Sequence, residues 1–205
     1  MKSLWRSLAR SICDYDLYRI YCSKHATPTQ TQADGTLKLA AIDHSSSLTL
    51  STASELRRLR DYAGNEAQGF GAWLDGELAG SCWYWWGSRY LNRNFWPLSD
   101  GEAKLVQITV AAAFRRRGVA TRLVEYSAAE MMDRGFSALY ARIWHSHTSS
   151  MAVFEKAGWA PLAFVAEVAI RGLSRPLRVV RPAGPDGRWA IGLARRPGGA
   201  SSARV

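Results

Sequence analysis

The chain has 205 residues, 47% of them hydrophobic, which suits one domain with a buried core and excludes disorder throughout. A formal charge of +10 calls for a polyanionic partner, which could be nucleic acid, an acidic membrane surface or a phosphorylated cofactor, and its dispersal along the chain weakens the nucleic-acid reading. Cys13, Cys22 and Cys82 form no C-x-x-C pair, and no apolar run has the roughly 18 residues of a spanning helix or the look of a signal peptide, so the expectation is a soluble cytoplasmic chain without disulfide framework or zinc site.

Residues 2–12 put Leu4, Trp5, Leu8 and Ile12 on one helical face and Lys2, Arg6 and Arg10 on the other. Such a basic amphipathic helix either docks on its own domain or makes peripheral contact with an anionic membrane. The cluster Tyr15, Leu17, Tyr18, Ile20 and Tyr21 is too apolar for a free tail, and 26–36, with Thr27-Pro28-Thr29-Gln30, reads as a polar linker. Residues 1–36 are therefore set apart as helix and linker from a unit over 37–194.

Within that unit the pattern predicts a strand over 37–42, a helix over 53–62 and a strand over 69–74. Asp75-Gly76 is a hairpin turn, so 78–86 should pair antiparallel with 69–74, with Cys82, Tyr84 and Trp86 on one side and Trp83 and Trp85 on the other. Segment 87–101, with Tyr90, Phe95, Trp96 and Pro97, reads as a long aromatic loop that walls an apolar acceptor pocket or caps the core; nearby Asp100 and Glu102 weigh against base stacking. A strand over 103–110, a helix over 119–134 ending at Gly135 and a strand over 137–144 form a right-handed βαβ unit with parallel strands. A helix over 149–156 and strands near 163–170 and 188–193 follow, and 195–205 is expected to be a disordered basic tail.

Between strand and helix stands Phe114-Arg115-Arg116-Arg117-Gly118-Val119-Ala120. Cations belong at helix C-termini, so three arginines at a helix entrance either sit in water or are offset by an anion held on the free amides there. His145-x-His147 lacks further ligands and does not make a metal site. The sequence holds no P-loop, dinucleotide fingerprint or serine elbow.

Val110, the turn Phe114 to Ala120 and, further on, Phe154-Glu155-Lys156-Ala157-Gly158-Trp159 resemble the GNAT-type acetyltransferase superfamily over residues 37–170, with Arg115, Gly118 and Ala120 matching its Arg/Gln-x-x-Gly-x-Gly/Ala motif. The resemblance implies an α/β fold: a mixed, mostly antiparallel sheet with a splayed parallel strand pair, flanked by helices. It implies acetyl-CoA or another acyl-CoA as co-substrate, without a metal. The pyrophosphate would lie on the turn of Arg115, Arg116, Arg117, Gly118, Val119, Ala120 and Thr121, and the pantetheine arm on the backbone of Ile108 and Val110. His147 stands where the family often has an asparagine that contacts pantetheine, and Phe154 where it often has a thiolate-protonating tyrosine.

The reaction implied is direct transfer of an acetyl group to a primary amine, of a small molecule or a protein. For the general base, Glu102 ranks first, near the family's usual strand position, which falls on Lys104; His145 is second. Phe154 and the insecure base motivate a competing reading, a non-catalytic acyl-CoA-binding or membrane-associated regulatory module. The acceptor and the oligomeric state, a dimer included, stay open.

Overall fold

Among the described residues nine stretches, most of them rich in β-branched and aromatic residues, pair edge to edge in one sheet. The computed structural model describes residues 13–24, 37–42, 53–91, 95–170, 173–183 and 190–193. The strands are β1 (Cys13–Ser23), β2 (Leu37–Ile42), β3 (Ala67–Leu74), β4 (Glu77–Trp85), β5 (Glu102–Val110), β6 (Ala138–Trp144), β7 (Ala160–Ile170), β8 (Leu177–Pro182) and β9 (Ala190–Leu193), in the spatial order β2-β3-β4-β5-β6-β1-β7-β8-β9. Every pairing is antiparallel except β5 with β6. The helices are α1 (Ser54–Arg57), which tightens into a 3-10 turn over Arg58–Tyr62, α2 (Gly87–Leu91), α3 (Val119–Asp133) and α4 (Thr148–Lys156).

The β3–β4 hairpin turns on Asp75 and Gly76 with φ of 53° and 82°, two left-handed residues whose twist matches that of the strands. As the alternation predicts, β4 is covered on both faces. Cys82 and Tyr84 pack under α3 with Leu123, Val124 and Met131, while Trp83 packs on the other face with Leu56 and Leu59. The Trp83 ring lies flat on β3: a Cβ at Gly69 would stand 2.6 Å from it, so only glycine fits beneath it. Farther along that face, Tyr90 and Phe95 cover Tyr18, Trp85 and Tyr140.

The structure corrects the reading of the first 36 residues. Cys13–Ser23, set apart there with the N-terminal helix and linker, is an internal strand, held by β6 on one side and β7 on the other. Tyr18, Ile20 and Tyr21 are fully buried. Tyr18, Ile20 and Cys22 pack on one face and Tyr21 on the other, so both faces of β1 are covered, Ile20, Tyr21 and Cys22 are buried in succession, and the segment reads as a cluster instead of a half-buried strand. The basic stretch after 170 also hides a strand, β8, paired with β7 and β9. Part of the supposed loop 87–101 is the short helix α2. The expected amphipathic helix over 2–12, the linker over 26–36 and the tail over 195–205 lie outside the described residues.

Because β1 is internal, Ile20→Ala should cost about 2–5 kcal/mol, the usual range for a core truncation to alanine. The midpoint of chemical denaturation should fall accordingly; an unchanged midpoint would return β1 to the status of a peripheral arm.

Candidate active site

The site starts from one extra residue. Trp83 lies opposite Gln107 and Tyr84 opposite Leu105, so Val106 is a bulge in β5. On its other edge β5 pairs with β6 only from Glu102↔Ala138 to Leu105↔Ala141, and the two parallel strands separate at the bulge. From there β5 presents an unpaired backbone edge. The Ala111 amide donates to Ala79 O at 2.9 Å on the β4 side. By the antiparallel alternation, the backbone groups of Ile108 and Val110 then point the other way, into the gap. Val110 O confirms that direction by accepting a hydrogen bond from Arg115 Nε at 3.1 Å.

The strand leads through the 3-10 turn Ala112–Phe114 to the start of α3. Arg116 has φ 62°, and Gly118, the N-cap, has φ 76°. No side chain caps this helix, and its first internal bond runs from the Arg122 amide to Gly118 O at 3.1 Å. The amides of Val119, Ala120 and Thr121 consequently have no partner within the helix and carry its positive dipole end. A Cβ on Gly118 would meet nothing within 4 Å, so open space lies before these donors. Val119 is buried and fixes the helix start to the core.

The three arginines are all exposed, but they differ in role. Arg115 pairs with Glu55 of α1 at 3.6 Å, and Glu55 also accepts the Ala112 amide at 2.9 Å, so Arg115 fastens the turn. The Arg117 guanidinium lies 5.8 Å from the Phe114 ring. Arg116 and Arg117 stand in the chain immediately before the helix start, and both are exposed.

The two residues favoured for proton transfer are not brought to this gap. Glu102 stands at the closed end of the strand pair, four residues before the bulge, or about 13 Å at the rise of a strand. Its carboxylate accepts the Ser99 amide at 2.7 Å and the Tyr140 hydroxyl at 2.8 Å. It borders a cleft of about 420 Å³ with Trp86, Tyr90 and Phe136, at the sheet end opposite Gly118. His145 is exposed and sets its ring edge-on to Phe164 of β7, at 5.8 Å. His147 is exposed too, but as the N-cap residue of α4 it stands at the open end of the gap. Phe154 is buried against Tyr21 and Trp159, with ring centroids at 6.2 and 5.1 Å, and its neighbour Tyr21 donates its hydroxyl to Glu155 at 2.7 Å.

Lys104 has a role that sequence reasoning missed. Its amine is wholly buried, donating to Tyr90 Oη at 2.6 Å and to Trp96 O at 2.7 Å, and it lies 3.9 Å from the Phe95 ring centre. Tyr90 Oη also accepts the Trp96 amide at 3.0 Å, so the lysine closes a network that straps segment 95–98 to the sheet. Burial, with the nearby charges of Arg178 and Arg142, lowers its pKa to about 5. The available signal was a lysine set between Ala103 and the apolar pair Leu105-Val106. Arg142, in the apolar run of β6, gives the same signal. Among the described residues no cluster could hold a metal ion, and no helix is long and apolar enough to cross a membrane.

A mixed sheet whose one parallel pair splays at a bulge, followed by an uncapped helix start behind a left-handed glycine, defines the fold class of the GNAT acetyltransferases. The model of the acetyltransferase (GNAT) family matches residues 37–159, and the chain belongs to that family. Solved structures with the same fold include a GCN5-related N-acetyltransferase from Sphaerobacter thermophilus, 13% identical, covering 83% of this chain and 56% of that one with a TM-score of 0.53. Another is a GCN5-related N-acetyltransferase-like protein from Streptococcus suis, 12% identical over 83% of this chain and 67% of that one, TM-score 0.52. A putative GNAT-family acetyltransferase from Novosphingobium aromaticivorans is 19% identical over 76% of this chain and 63% of its own, TM-score 0.51. The chain thus spans little more than half of the Sphaerobacter protein. No curated protein matches the sequence.

The Lys104 amine is protonated in the unfolded chain up to about pH 10.4 but in the folded protein only below about 5. Between those values the unfolded state binds the extra proton, so this residue's contribution to stability rises with pH across the window and is flat below it. Denaturation midpoints at several pH values should therefore move in favour of the wild type over Lys104→Met as pH rises from about 6 to 10. A difference independent of pH would mean that the buried amine stays charged.

Proposed function

We propose that the protein transfers an acetyl group from acetyl-CoA to a primary amine. The observation that carries this reading is the gap between β5 and β6, with backbone donors and acceptors on its β5 edge and a helix start with free amides at its open end. A coenzyme A molecule has matching parts in matching order: an amide-bearing arm for the strand edge and a pyrophosphate for the amides of Val119, Ala120 and Thr121, with Arg116 and Arg117 beside it. Amides released at the Val106 bulge are the donors for the thioester oxygen as it gains charge. The neutral amine attacks the thioester carbon, the N–C bond forms and the C–S bond breaks. The nitrogen loses one proton and the sulfur leaves as thiolate or thiol.

The position of Glu102 at the closed end, and of His145 beside Phe164, supports proton departure through water in the gap instead of directly to either side chain. A thiol with an ordinary pKa, about 8.5 for cysteine, is a competent leaving group near neutral pH without a phenol at position 154. Phe154 is also the observation that favours a non-catalytic acyl-CoA binder, and thiol release separates the two readings.

With acetyl-CoA and a panel of amines, wild type should release free thiol in the presence of at least one acceptor. Glu102→Gln should keep kcat within about threefold, whereas loss of about 100-fold or more would make Glu102 the base. Gly118→Trp should lose measurable affinity for coenzyme A in a calorimetric titration while staying folded, since left-handed backbone costs a non-glycine residue only about 1–2 kcal/mol and the side chain enters open space. Unchanged affinity would refute the position of the pyrophosphate; tight binding with no thiol release from any amine would leave a binder.

A further inference from the structure

Beyond its bulge, β5 turns two polar side chains, Gln107 and Thr109, to the face of the sheet away from α3. Gln107 stands opposite Trp83 and Thr109 opposite Ser81, and Trp83 packs on that face with Leu56 and Leu59. Residues opposite each other on paired strands point to the same side, and the alternate residues Ile108 and Val110 pack into the cluster under α3. Gln107 and Thr109 are both only partly buried, while Val106, Trp83 and Ala111 around them on this face are apolar.

On the α3 side the gap is floored by Ile108 and Val110 of β5 and by Ala141 and Ile143 of β6, all packed in one cluster. An acceptor therefore reaches a thioester in the gap from the opposite face. There Gln107 and Thr109 form one bank, and Arg142 and Trp144 of β6, both packed toward the Phe95 side, form the other. The Gln107 amide is held in place, since its Nε2 donates to Thr109 Oγ1 at 3.3 Å. That bond leaves Gln107 Oε1 as an acceptor with no partner among the described residues. Of the other oxygen-bearing side chains on β5, Glu102 lies at the closed end and Thr109 already accepts from Gln107. On β5 itself the open oxygen beside the gap is that of Gln107.

We infer that Gln107 receives the acceptor, its Oε1 taking one hydrogen of the attacking nitrogen, and that this contact selects primary over secondary amines. The inference rests on the acyl-transfer reading above. A neutral primary amine brings two hydrogens. One is donated to Gln107 Oε1 and stays in the product amide; the other leaves to water as a proton, while the N–C bond forms, the C–S bond breaks and the sulfur takes the electron pair. A secondary amine has a single hydrogen, which must leave, so it cannot also satisfy the oxygen. The hydrogen bond strengthens as the nitrogen gains positive charge, so its loss lowers kcat as well as affinity. Gln107 accepts no proton itself, and Thr109, which acts through the amide, is a positioning residue.

The test measures thiol release from acetyl-CoA with each primary amine and its N-methyl derivative, phenethylamine with N-methylphenethylamine and isopentylamine with N-methylisopentylamine among them. Wild type should favour the primary amine by about tenfold or more in kcat/KM. Gln107→Leu should lower kcat/KM for the primary amine about 30-fold and for the secondary amine less than about threefold, with the affinity for coenzyme A in calorimetry unchanged within about twofold. A merely steric rejection of the methyl group would persist in that variant. Thr109→Val should cost about three- to tenfold with the primary amine in the wild-type background and nothing further in Gln107→Leu, a non-additivity that a structural role for either residue would not produce. Should Gln107→Leu fail to fold, Thr109→Val alone should still reduce the preference for the primary amine. No thiol release from any amine, with coenzyme A still bound, would overturn acyl transfer and this inference together. Thiol release with equal use of both amines by the wild type, or a preference that survives in Gln107→Leu or is untouched by Thr109→Val, would overturn this inference alone.

Discussion

Val106 is one residue more than the β4–β5 ladder can pair, and the geometry of the site depends on that surplus. Two parallel strands in register would satisfy each other's backbone along their whole length. The bulge bends β5 after Leu105, so the pairing with Ala141 is the last, and backbone groups of Ile108 and Val110 face a gap instead of a strand. That edge is only partly buried and Arg115 takes the Val110 carbonyl, so its remaining groups stay open to solvent or to a ligand. The same strand then delivers the chain to Gly118, whose left-handed backbone starts α3 with its free amides facing the same opening.

The two sheet faces divide the remaining work. Under α3 and α4 the core is close-packed and nearly apolar, with Phe154, Trp159, Tyr21 and Leu123 in one cluster, and it holds the helix start rigidly against the strand. The opposite face is polar in an unusual way. Buried Lys104 and half-buried Arg178 each donate to a backbone carbonyl of segment 95–96, so a segment without regular structure is fastened by two basic side chains to the sheet beside the gap. Burial shifts the phenols there upward as well: Tyr18, Tyr90 and Tyr140 all have raised pKa values, chiefly by desolvation. These hydroxyls stay protonated donors, as in the bonds from Tyr18 to Glu167 and from Tyr140 to Glu102.

Much of this could be read from the residues. Asp75-Gly76 announced its hairpin, the double-sided burial of β4 followed from Trp83 and Tyr84 in succession, and Gly118 marked the start of a helix. Two kinds of feature could not be read. Strand β1 is internal because residues some 120 and 145 positions later pair with it, and no local pattern encodes such a partner; with both its faces covered, it also lacks the apolar–polar alternation of a half-buried strand. The proton-transfer residues depended on depth along a strand, which sequence order conveys only until a bulge intervenes. Glu102 shares a strand with the gap yet stands at its closed end, and Lys104, known from the sequence only as the residue at the family's usual base position, proves to be buried in a hydrogen-bond network.

The central claim is that the β5 edge and the α3 start receive one elongated anionic ligand. Amide hydrogen exchange, with and without coenzyme A, tests it most directly, because it reads individual backbone donors and requires no acceptor and no turnover. The account predicts new protection at Ile108 and Val110 and at Val119, Ala120 and Thr121, with little change in β3 or β7. Protection confined to other segments, or none at saturating coenzyme A, would contradict it.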